Sequence, residues 1–214
     1  MKYKLLLLSG SLLLNQNLYA DMTSEVKAIQ SQWAEVNYMP DSDAKQKAFE
    51  QLAKTATQIT LNKHNLPEAL VWEGIVYSSY AGAKGGIGAL GLAKKARKSY
   101  EAAIALDGDV LDGSAYTSLG VLYYKVPGWP LGFGSDKKAQ DYLEKGLVLN
   151  PDGIDSNYFY AEFLYEEKDD LNQAKKYLIK AAAAKSRPER RTADSGRQQD
   201  IKLLMLVIDK ELNN

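Results

Sequence analysis

The chain has 214 residues, of which 45% are hydrophobic, enough to bury one sizeable core. Its 27 Lys and Arg residues balance its 27 Asp and Glu residues, so no overall field favours nucleic acid or an anionic membrane as a partner. Cysteine is absent, which excludes a disulfide framework. The composition predicts one soluble domain that is held together by packing.

The first twenty residues predict a secretory signal peptide. Lys2 and Lys4 precede an apolar run at residues 5–14, and Ala20 precedes a cleavage site before Asp21. A membrane anchor is the alternative, but this run is too short to span about 30 Å of hydrocarbon as a helix. We therefore expect cleavage, export to the periplasm rather than secretion, and no stable membrane anchor in the mature protein.

Helical periodicity dominates the sequence after the signal segment. Stretches rich in alanine and other apolar residues alternate with Asp, Gly and Pro, and strand-like alternation is rare. We therefore predict an all-α protein whose residues 21–65 form an N-terminal helical hairpin. In this hairpin Trp33 faces the core, Pro40 ends the first helix, and Asp41 or Ser42 caps the second.

Residues 66–186 carry three degenerate copies of the tetratricopeptide (TPR) pattern, which reads W-x2-L-G-x2-Y on a first helix and A-x3-F on a second. Small residues at Gly74, Gly120 and Ala161 fall where two antiparallel helices touch, because a larger side chain there would push the helices apart. The pattern predicts a short solenoid of helical hairpins. The matching positions are Leu70, Gly74 and Tyr77 with Ala96, Tyr100 and Ala103; Tyr116, Leu119, Gly120 and Tyr123 with Ala139, Leu143 and Gly146; and Asn157, Tyr160, Ala161 and Leu164 with Ala174, Leu178 and Ala181.

The copies depart from the TPR pattern in residue type and in spacing. Glu73 stands at a Leu position of the first copy, and Asn157 stands at an aromatic position of the third. The copies are 46 and 41 residues apart, against a TPR norm of about 34. We expect the excess in loops between the two helices of a copy, which should share one edge of the stack and build one joint surface.

The first lengthened segment, residues 81–91, holds five glycines and is predicted as a loop, since glycine is a poor helix former. Its Gly85 and Gly86 are candidates for presenting backbone N–H groups to an anion beside Lys94 and Arg97. The G-x4-G-K-[ST] pattern of a phosphate-binding loop is absent. A permissive connector that allows close helix approach is the favoured interpretation.

The second lengthened segment, residues 125–134, combines two prolines and three glycines with Trp129 and Phe133. Prolines and glycines fix turns, and aromatic side chains supply large apolar surfaces. This composition predicts an ordered loop that docks a partner. The alternative is that both aromatic rings tuck into the protein's own groove.

A basic stretch at residues 185–197 contains Arg190, Arg191 and Arg197 together with Asp194. Arginine binds carboxylate or phosphate in bidentate fashion, so an acidic ligand or an acidic partner surface is one interpretation. A solvated loop is the second. An internal pairing, in which Asp194 caps the last helix or holds an arginine, is the third.

Residues 187–214 combine the end of this basic loop with a last helix. The apolar face of this last helix predicts that the helix caps the open side of the last repeat. The face comprises Ile201, Leu204, Met205, Ile208 and Leu212, widened by Leu203, Leu206 and Val207.

The residues needed for catalysis are scarce. His64 is the sole histidine, and with cysteine absent this excludes Cys-His nucleophilic sites and multi-histidine metal centres. A Ser-His-Asp triad would have to use His64, which stands in a polar connector. The acidic residues between 162 and 170 lack calcium-loop spacing and are interpreted as structural. We predict no catalytic, cofactor or metal site, and an envelope hydrolase is the weakest hypothesis.

Several strings between residues 66 and 204 are distinctive: LGVLYY at 119–124, VPGWP at 126–130, GFG at 132–134, NPDGID at 150–155, NYFY at 157–160 and ADSGR at 193–197. Through them the chain resembles the TPR-like periplasmic proteins related to the T component of TPR-associated TRAP transporters. The resemblance implies a periplasmic α-helical protein without enzymatic activity that associates with the substrate-binding protein of a tripartite secondary transporter. The lipid-anchoring cysteine expected of a membrane-tethered T component is absent.

Two functions are therefore expected from the sequence. The leading hypothesis is a scaffold that binds a protein partner, with a transporter substrate-binding protein as the candidate and no role for nucleic acid. The alternative is a carrier of a small acidic or hydrophobic ligand, held in a cavity between helices and closed by an arginine. The side chains expected to line that cavity are Tyr77, Tyr123, Tyr124, Trp129 and Tyr160.

Overall fold

The computed structural model describes residues 23–63 and 66–213, and the regular structure in these ranges is entirely helical. The predicted signal peptide and His64 lie outside the described residues. No helix in the described part is long and apolar enough to cross a membrane. The helices are α1 Ser24–Asn37, α2 Asp43–Asn62, α3 Pro67–Lys84, α4 Gly86–Leu106, α5 Val110–Lys125, α6 Asp136–Leu149, α7 Ile154–Lys168, α8 Leu171–Ala182 and α9 Arg191–Leu212, with a 3-10 turn at Pro188–Arg190.

The helices pack in consecutive pairs, which confirms the predicted solenoid of helical hairpins. α1 pairs with α2, α3 with α4, α5 with α6 and α7 with α8, and α9 lies against α7 and α8. The first helices of successive pairs also contact one another in chain order. One apolar core runs from α3 to α9, and a second joins α1, α2 and α3.

The N-terminal hairpin is built as the sequence predicts. The Ser42 hydroxyl accepts a hydrogen bond from the backbone nitrogen of Lys45 at 3.2 Å, which caps α2. Trp33 is buried and packs edge-on against Trp72 of α3, with ring centroids 5.8 Å apart. The Trp33–Trp72 contact joins the hairpin to the first repeat.

Close approach of paired helices at the small residues is confirmed. A Cβ atom added at Gly120 would lie 2.7 Å from Cγ of Leu143 and 3.0 Å from its backbone nitrogen, closer than real Cβ contacts. A Cβ at Gly74 would strike the ring of Tyr100, and Ala161 has no exposed surface. The pairs α3–α4 and α5–α6 therefore require glycine at these crossings.

The two departures from the TPR residue types have structural partners. Glu73 is buried between α2 and α4, where it accepts hydrogen bonds from Oγ1 of Thr57 at 2.9 Å and Oγ of Ser99 at 2.8 Å. Asn157 is fully buried, and its Nδ2 donates to two carbonyl oxygens of the turn at residues 151–153. Both polar groups therefore join neighbouring segments that the TPR pattern joins with apolar contacts.

The prediction that residues 81–91 form a loop is wrong, because Gly85 alone separates α3 from α4. Gly85 and Gly86 have φ angles of 60° and 59°, in the left-handed region where glycine is favoured, and they reverse the chain. Burial of Ala93 and Ala96 in the core outweighs the weak helix propensity of the other glycines. The excess length of the first repeat therefore lies in long helices.

The capping helix is confirmed, but its buried face is narrower than predicted. Ile201 and Ile208 are buried. Leu203, Leu206 and Val207 were expected to widen this face, but they are 64%, 67% and 42% exposed. The C-terminal half of α9 thus presents an apolar stripe to solvent.

The stack of helices curves until its ends meet, since α1 contacts α9. Gly196 packs against the ring of Tyr38, whose hydroxyl donates to Oδ2 of Asp200 at 3.3 Å. Arg190, which directly precedes α9, lies over the ring of Trp72 in α3, with 5.5 Å from its guanidinium carbon to the ring centroid. The first half of α9 therefore covers the face where α1 and α3 come together.

Candidate functional site

The loop at residues 126–135 between α5 and α6 is ordered by its own backbone. The Gly134 nitrogen donates to the carbonyl oxygen of Pro127 at 3.0 Å, and two further N–H groups converge on the carbonyl oxygen of Gly128. A Cβ at Gly132 or Gly134 would strike the backbone of positions 126 and 127, so the loop requires glycine there. The prediction of an ordered long loop is confirmed for this segment.

The two aromatic residues of this loop have opposite environments. Phe133 packs edge-on against Tyr123 with centroids 5.6 Å apart, and the guanidinium carbon of Arg97 lies 4.5 Å from its ring centroid. Trp129 is 89% exposed, and the nearby Leu131 is 73% exposed. Phe133 therefore anchors the loop, while Trp129 is presented to solvent.

The Phe133 anchor of the long loop and the Gly85–Gly86 turn lie at different levels along α4, and a joint surface of the two lengthened segments stays a prediction. Phe133 fixes the long loop against Arg97, which lies about 16 Å along α4 from Gly86 at the helical rise of 1.5 Å per residue. Lys94 is likewise about 12 Å along the helix from Gly86. Gly85 and Gly86 serve the chain reversal, and these cations do not border them.

A network of charged side chains occupies the junction of α7 with the start of α9. Oδ2 of Asp155 accepts from Nη2 of Arg187 at 3.1 Å, and Oδ1 accepts from Nε of Arg197 at 3.0 Å. Nε of Arg187 also donates to Asp194 at 3.0 Å, and Nη1 of Arg197 donates to Asp200 at 3.1 Å. Asp194 therefore holds an arginine, as in the third interpretation of the basic stretch.

The side chains of Arg190 and Arg197 are largely buried and contact other residues of the chain. Nη1 of Arg190 lies 3.9 Å from Oδ2 of Asp155, and its side chain is 17% exposed. The Arg197 side chain is 10% exposed, and its guanidinium carbon lies 4.4 Å from the ring centroid of Tyr158. Arg190 and Arg197 are thus structural, and they do not offer the open bidentate site that the sequence also allowed.

Asp155 is the ionised centre of this network. Burial by itself would raise its pKa, but the attraction of Arg197, Arg187 and Arg190 outweighs burial and lowers the pKa to about 2. For Asp200, burial raises the pKa although Arg197 opposes the change. The net pKa shifts of the two aspartates are therefore opposite, although Arg197 lowers the pKa of both: the combined attraction of the arginines outweighs burial at Asp155, and burial outweighs the attraction of Arg197 at Asp200.

An open cleft of about 380 Å³ lies beside the network at the start of α9. Ile154 and Pro188 supply apolar lining, while Lys185 and Arg191 border the cleft. Both cations are exposed and form no ion pair within the described part of the chain. Arg191 is thus the member of the predicted arginine set that remains accessible.

The four tyrosines expected to line a ligand cavity are distributed over separate inter-helix contacts instead. None of them borders the cleft at the start of α9 or a second cleft of about 500 Å³ between the α1–α2 turn and the end of α3. Trp129 lies apart from them on the loop. Their contacts are the hydroxyl pair of Tyr77 and Thr57 at 2.8 Å, the stacked rings of Tyr123 and Tyr142 at 5.6 Å, the hydrogen bond from Tyr124 to Glu162 at 2.5 Å, and the rings of Tyr160 and Tyr177 at 4.7 Å.

The acidic residues between 162 and 170 have structural partners. Glu162 accepts a hydrogen bond from the Tyr158 hydroxyl at 2.9 Å, and Glu166 pairs with Lys125 at 2.6 Å. The Asp170 carboxylate caps α8. Glu162, Glu166 and Asp170 thus make contacts of the structural kind that the sequence predicts.

Sequence reasoning missed Asp155 and its neighbours Tyr38 and Asp200. Asp155 stands in the first turn of α7, and its partners Arg187 and Arg197 follow 32 and 42 residues later. No helical period connects such positions. The local signal was the excess of arginine between residues 185 and 197. Such an excess indicates that carboxylates from other parts of the chain neutralise the arginines that are buried.

No family model matches the chain. A stretch of 68 residues, 32% of this chain, is 35% identical to the Sol locus transcriptional repressor of Clostridium acetobutylicum. The matched part spans 19% of that repressor, so the likeness is local.

Proposed function

We propose that this protein is a non-enzymatic scaffold that binds a protein partner through the loop at residues 126–135. The observation that carries the proposal is the 89% exposed side chain of Trp129 on a loop held by its own backbone hydrogen bonds. Tryptophan is enriched among the residues that dominate binding energies at interfaces. A loop that is already ordered loses little conformational entropy when it binds. Trp129 and Leu131 together form the anchor.

We further propose an exported, periplasmic setting and a transporter substrate-binding protein as the candidate partner. The apolar run at residues 5–14 supports export, and the resemblance to T components supports this class of partner. The first half of α9 lies against α1 and α9 also contacts α7, and both of these are first helices of the stack. Binding at the exposed loop is consistent with that packing.

Site-specific photo-crosslinking in the native host tests the proposal. A benzophenone amino acid replaces Trp129 in one variant and Val148 of α6 in another. Val148 is a matched control because it is apolar and 80% exposed but lies outside the loop. We expect a discrete crosslinked protein from position 129 alone, identified by mass spectrometry as a substrate-binding protein.

The same pair of positions provides the binding test with purified components. Trp129→Ala should weaken binding of the identified partner by about 2 kcal/mol or more, the range of interface hot spots, while Val148→Ala leaves it unchanged. Equal crosslinking from both positions, or unchanged affinity of Trp129→Ala, contradicts the assignment of the loop.

A ligand-carrier function has one supporting observation, the cleft bordered by Lys185 and Arg191. Its cations suit a carboxylate, and its apolar lining suits a short hydrocarbon tail. Titration calorimetry with medium-chain carboxylates tests this second candidate. Loss of binding in the Lys185→Ala/Arg191→Ala variant supports the carrier function. An affinity that is the same in this variant as in the wild type contradicts it.

A further inference from the structure

The exposed apolar stripe of α9 forms a second surface, built from residues outside the Trp129 loop. Leu203, Leu206 and Val207 are spaced by three and four residues, so they lie on one side of the helix. Terminal helices of repeat proteins normally carry a polar outer face, which keeps the end of the stack soluble. This helix departs from that rule over its C-terminal half.

α8 extends the stripe sideways. Lys175 pairs with Asp209 at 2.7 Å, and Gln198 donates to the carbonyl oxygen of Ala182 at 3.2 Å, so the two helices run antiparallel. This register brings Ile179, which is 55% exposed, to the level of Leu203. We name the surface formed by Ile179, Leu203, Leu206 and Val207 the end face.

The repeat pattern identifies a helix as the structure that fits the end face. α3, α5 and α7 each pair with a second helix, α4, α6 and α8, and this pairing buries them on most sides. α9 follows them as the next first helix, and its exposed apolar residues recur at the spacing of three and four by which one helix contacts another. A helix laid against α9 would pack on this stripe as α8 packs on α7.

The charges around the end face indicate which charge the residues on either side of the apolar stripe of that helix should carry. α8 carries Lys175, Lys176 and Lys180 and no acidic residue, and Lys202 and Lys210 flank the stripe on α9. Asp209 is paired with Lys175, and Glu211 accepts from the Tyr165 hydroxyl. Lys176, Lys202 and Lys210 form no ion pair within the described residues. The end face is therefore apolar at its centre and basic at its margins, in a chain that is neutral as a whole.

We propose that the end face docks an amphipathic α-helix of a partner protein whose apolar stripe is flanked by acidic residues. Such helix-in-groove recognition uses apolar anchors spaced by three and four residues. The lysines at the margins attract the acidic flanks and discriminate against basic helices. This interface does not depend on the Trp129 loop.

Fluorescence anisotropy with two synthetic peptides of about 18 residues tests the proposal. Both peptides share one leucine-rich face, and the flanking positions carry Glu in one and Lys in the other. We expect the Glu peptide to bind the whole protein at least about tenfold more tightly than the Lys peptide. The Lys202→Glu/Lys210→Glu variant should reverse this preference.

Leu206→Glu should weaken the Glu peptide by at least about tenfold, because it places a charge in the apolar contact. Val148→Glu is the matched control, because Val148 is also an exposed apolar residue, at 80% against 67% for Leu206, but lies on α6; this variant should leave binding unchanged. Melting followed by circular dichroism confirms that both variants are folded.

Four results overturn the proposal. Equal affinity for the two peptides, or no effect of Leu206→Glu, removes the end face as a helix-docking site. A dimer in light scattering that Leu206→Glu dissociates assigns the surface to a second copy of the chain. Binding to phosphatidylglycerol vesicles that requires Leu206, without binding of the Glu peptide, assigns it to a membrane surface.

Discussion

Asp155 shows how much of this fold depends on a single charge. Its carboxylate accepts hydrogen bonds from Arg187 and Arg197, and Arg190 lies nearby. Removing a buried partner leaves the opposite charges uncompensated, and this is more costly than the pair was stabilising. The arginines of the basic stretch therefore depend on one residue of a distant helix.

We predict that Asp155→Asn lowers the free energy of unfolding by about 2 kcal/mol. This value is below the ~3–5 kcal/mol of a fully buried pair because about a third of the Asp155 side chain, 32%, is exposed. Urea unfolding at neutral pH measures the effect. Asp152→Asn, an exposed position in the preceding turn, is the control and should change stability by less than about 0.5 kcal/mol.

The same residue predicts a pH dependence. The folded pKa of Asp155 is about 2, below its unfolded value of about 3.9, so its stabilisation is complete above that unfolded value. The stabilisation is lost as the pH falls through about 2. The stability difference between wild type and Asp155→Asn should shrink over this window, as measured by urea unfolding at pH 5, 4, 3 and 2. A difference that is constant with pH would contradict the ionised role of Asp155.

Glu73 predicts a coupling between neighbouring helices. Ser99→Ala removes a donor to its buried carboxylate and should cost about 1–3 kcal/mol. In a Glu73→Leu background, which restores the TPR residue type, the same substitution should cost less than about 1 kcal/mol. A double-mutant cycle in urea measures the coupling, and additive effects would contradict the contact.

At the scale of single helices, the glycines divide into those that lie where two helices touch and those that have open space beside them. Gly120→Ala should destabilise the protein by about 1–3 kcal/mol, because the added carbon meets Leu143 and its backbone. Gly91→Ala in α4 has no atom within 4 Å of the added carbon, and it should stabilise by up to about 1 kcal/mol through helix propensity. Thermal unfolding of the two variants compares them, and shifts of the same sign would contradict the helix crossing.

The helices themselves were largely predictable, because small residues recur at the positions where paired helices must approach closely. Gly74, Gly120 and Ala161 recur where paired helices touch, and that recurrence located three of the hairpins. The segment at residues 81–91 was not predictable from propensity, since helix formation there depends on burial of Ala93 and Ala96 in the assembled core. Tertiary packing overrode the local signal.

At the scale of the whole molecule, the contact between α1 and α9 joins the two ends of the stack. Gly196→Leu should separate them, because its side chain would enter the space of the Tyr38 ring. We expect faster hydrogen exchange in α1 and in the first half of α9, with little change in α5 and α6. A uniform increase across all helices would indicate global destabilisation and contradict a local opening.

The candidate site was predictable only where it is local in the chain. Trp129 and Phe133 were identified from the composition of one loop, although their opposite exposures required the fold, in which Tyr123 and Arg97 cover Phe133. The network around Asp155 joins residues more than 30 positions apart, and no spacing in the sequence connects them.

The joined ends also bear on how the protein responds to mechanical load. In an open stack of repeats each unit contacts only its neighbours, so tension applied at the two ends passes along the axis and the stack extends gradually, as a spring does. Here Tyr38, Gly196 and Asp200 hold α1 against α9, so tension between these helices falls first on a short contact beside the charged network. We therefore expect the contact between α1 and α9 to break first under tension, in one abrupt step, before any hairpin extends.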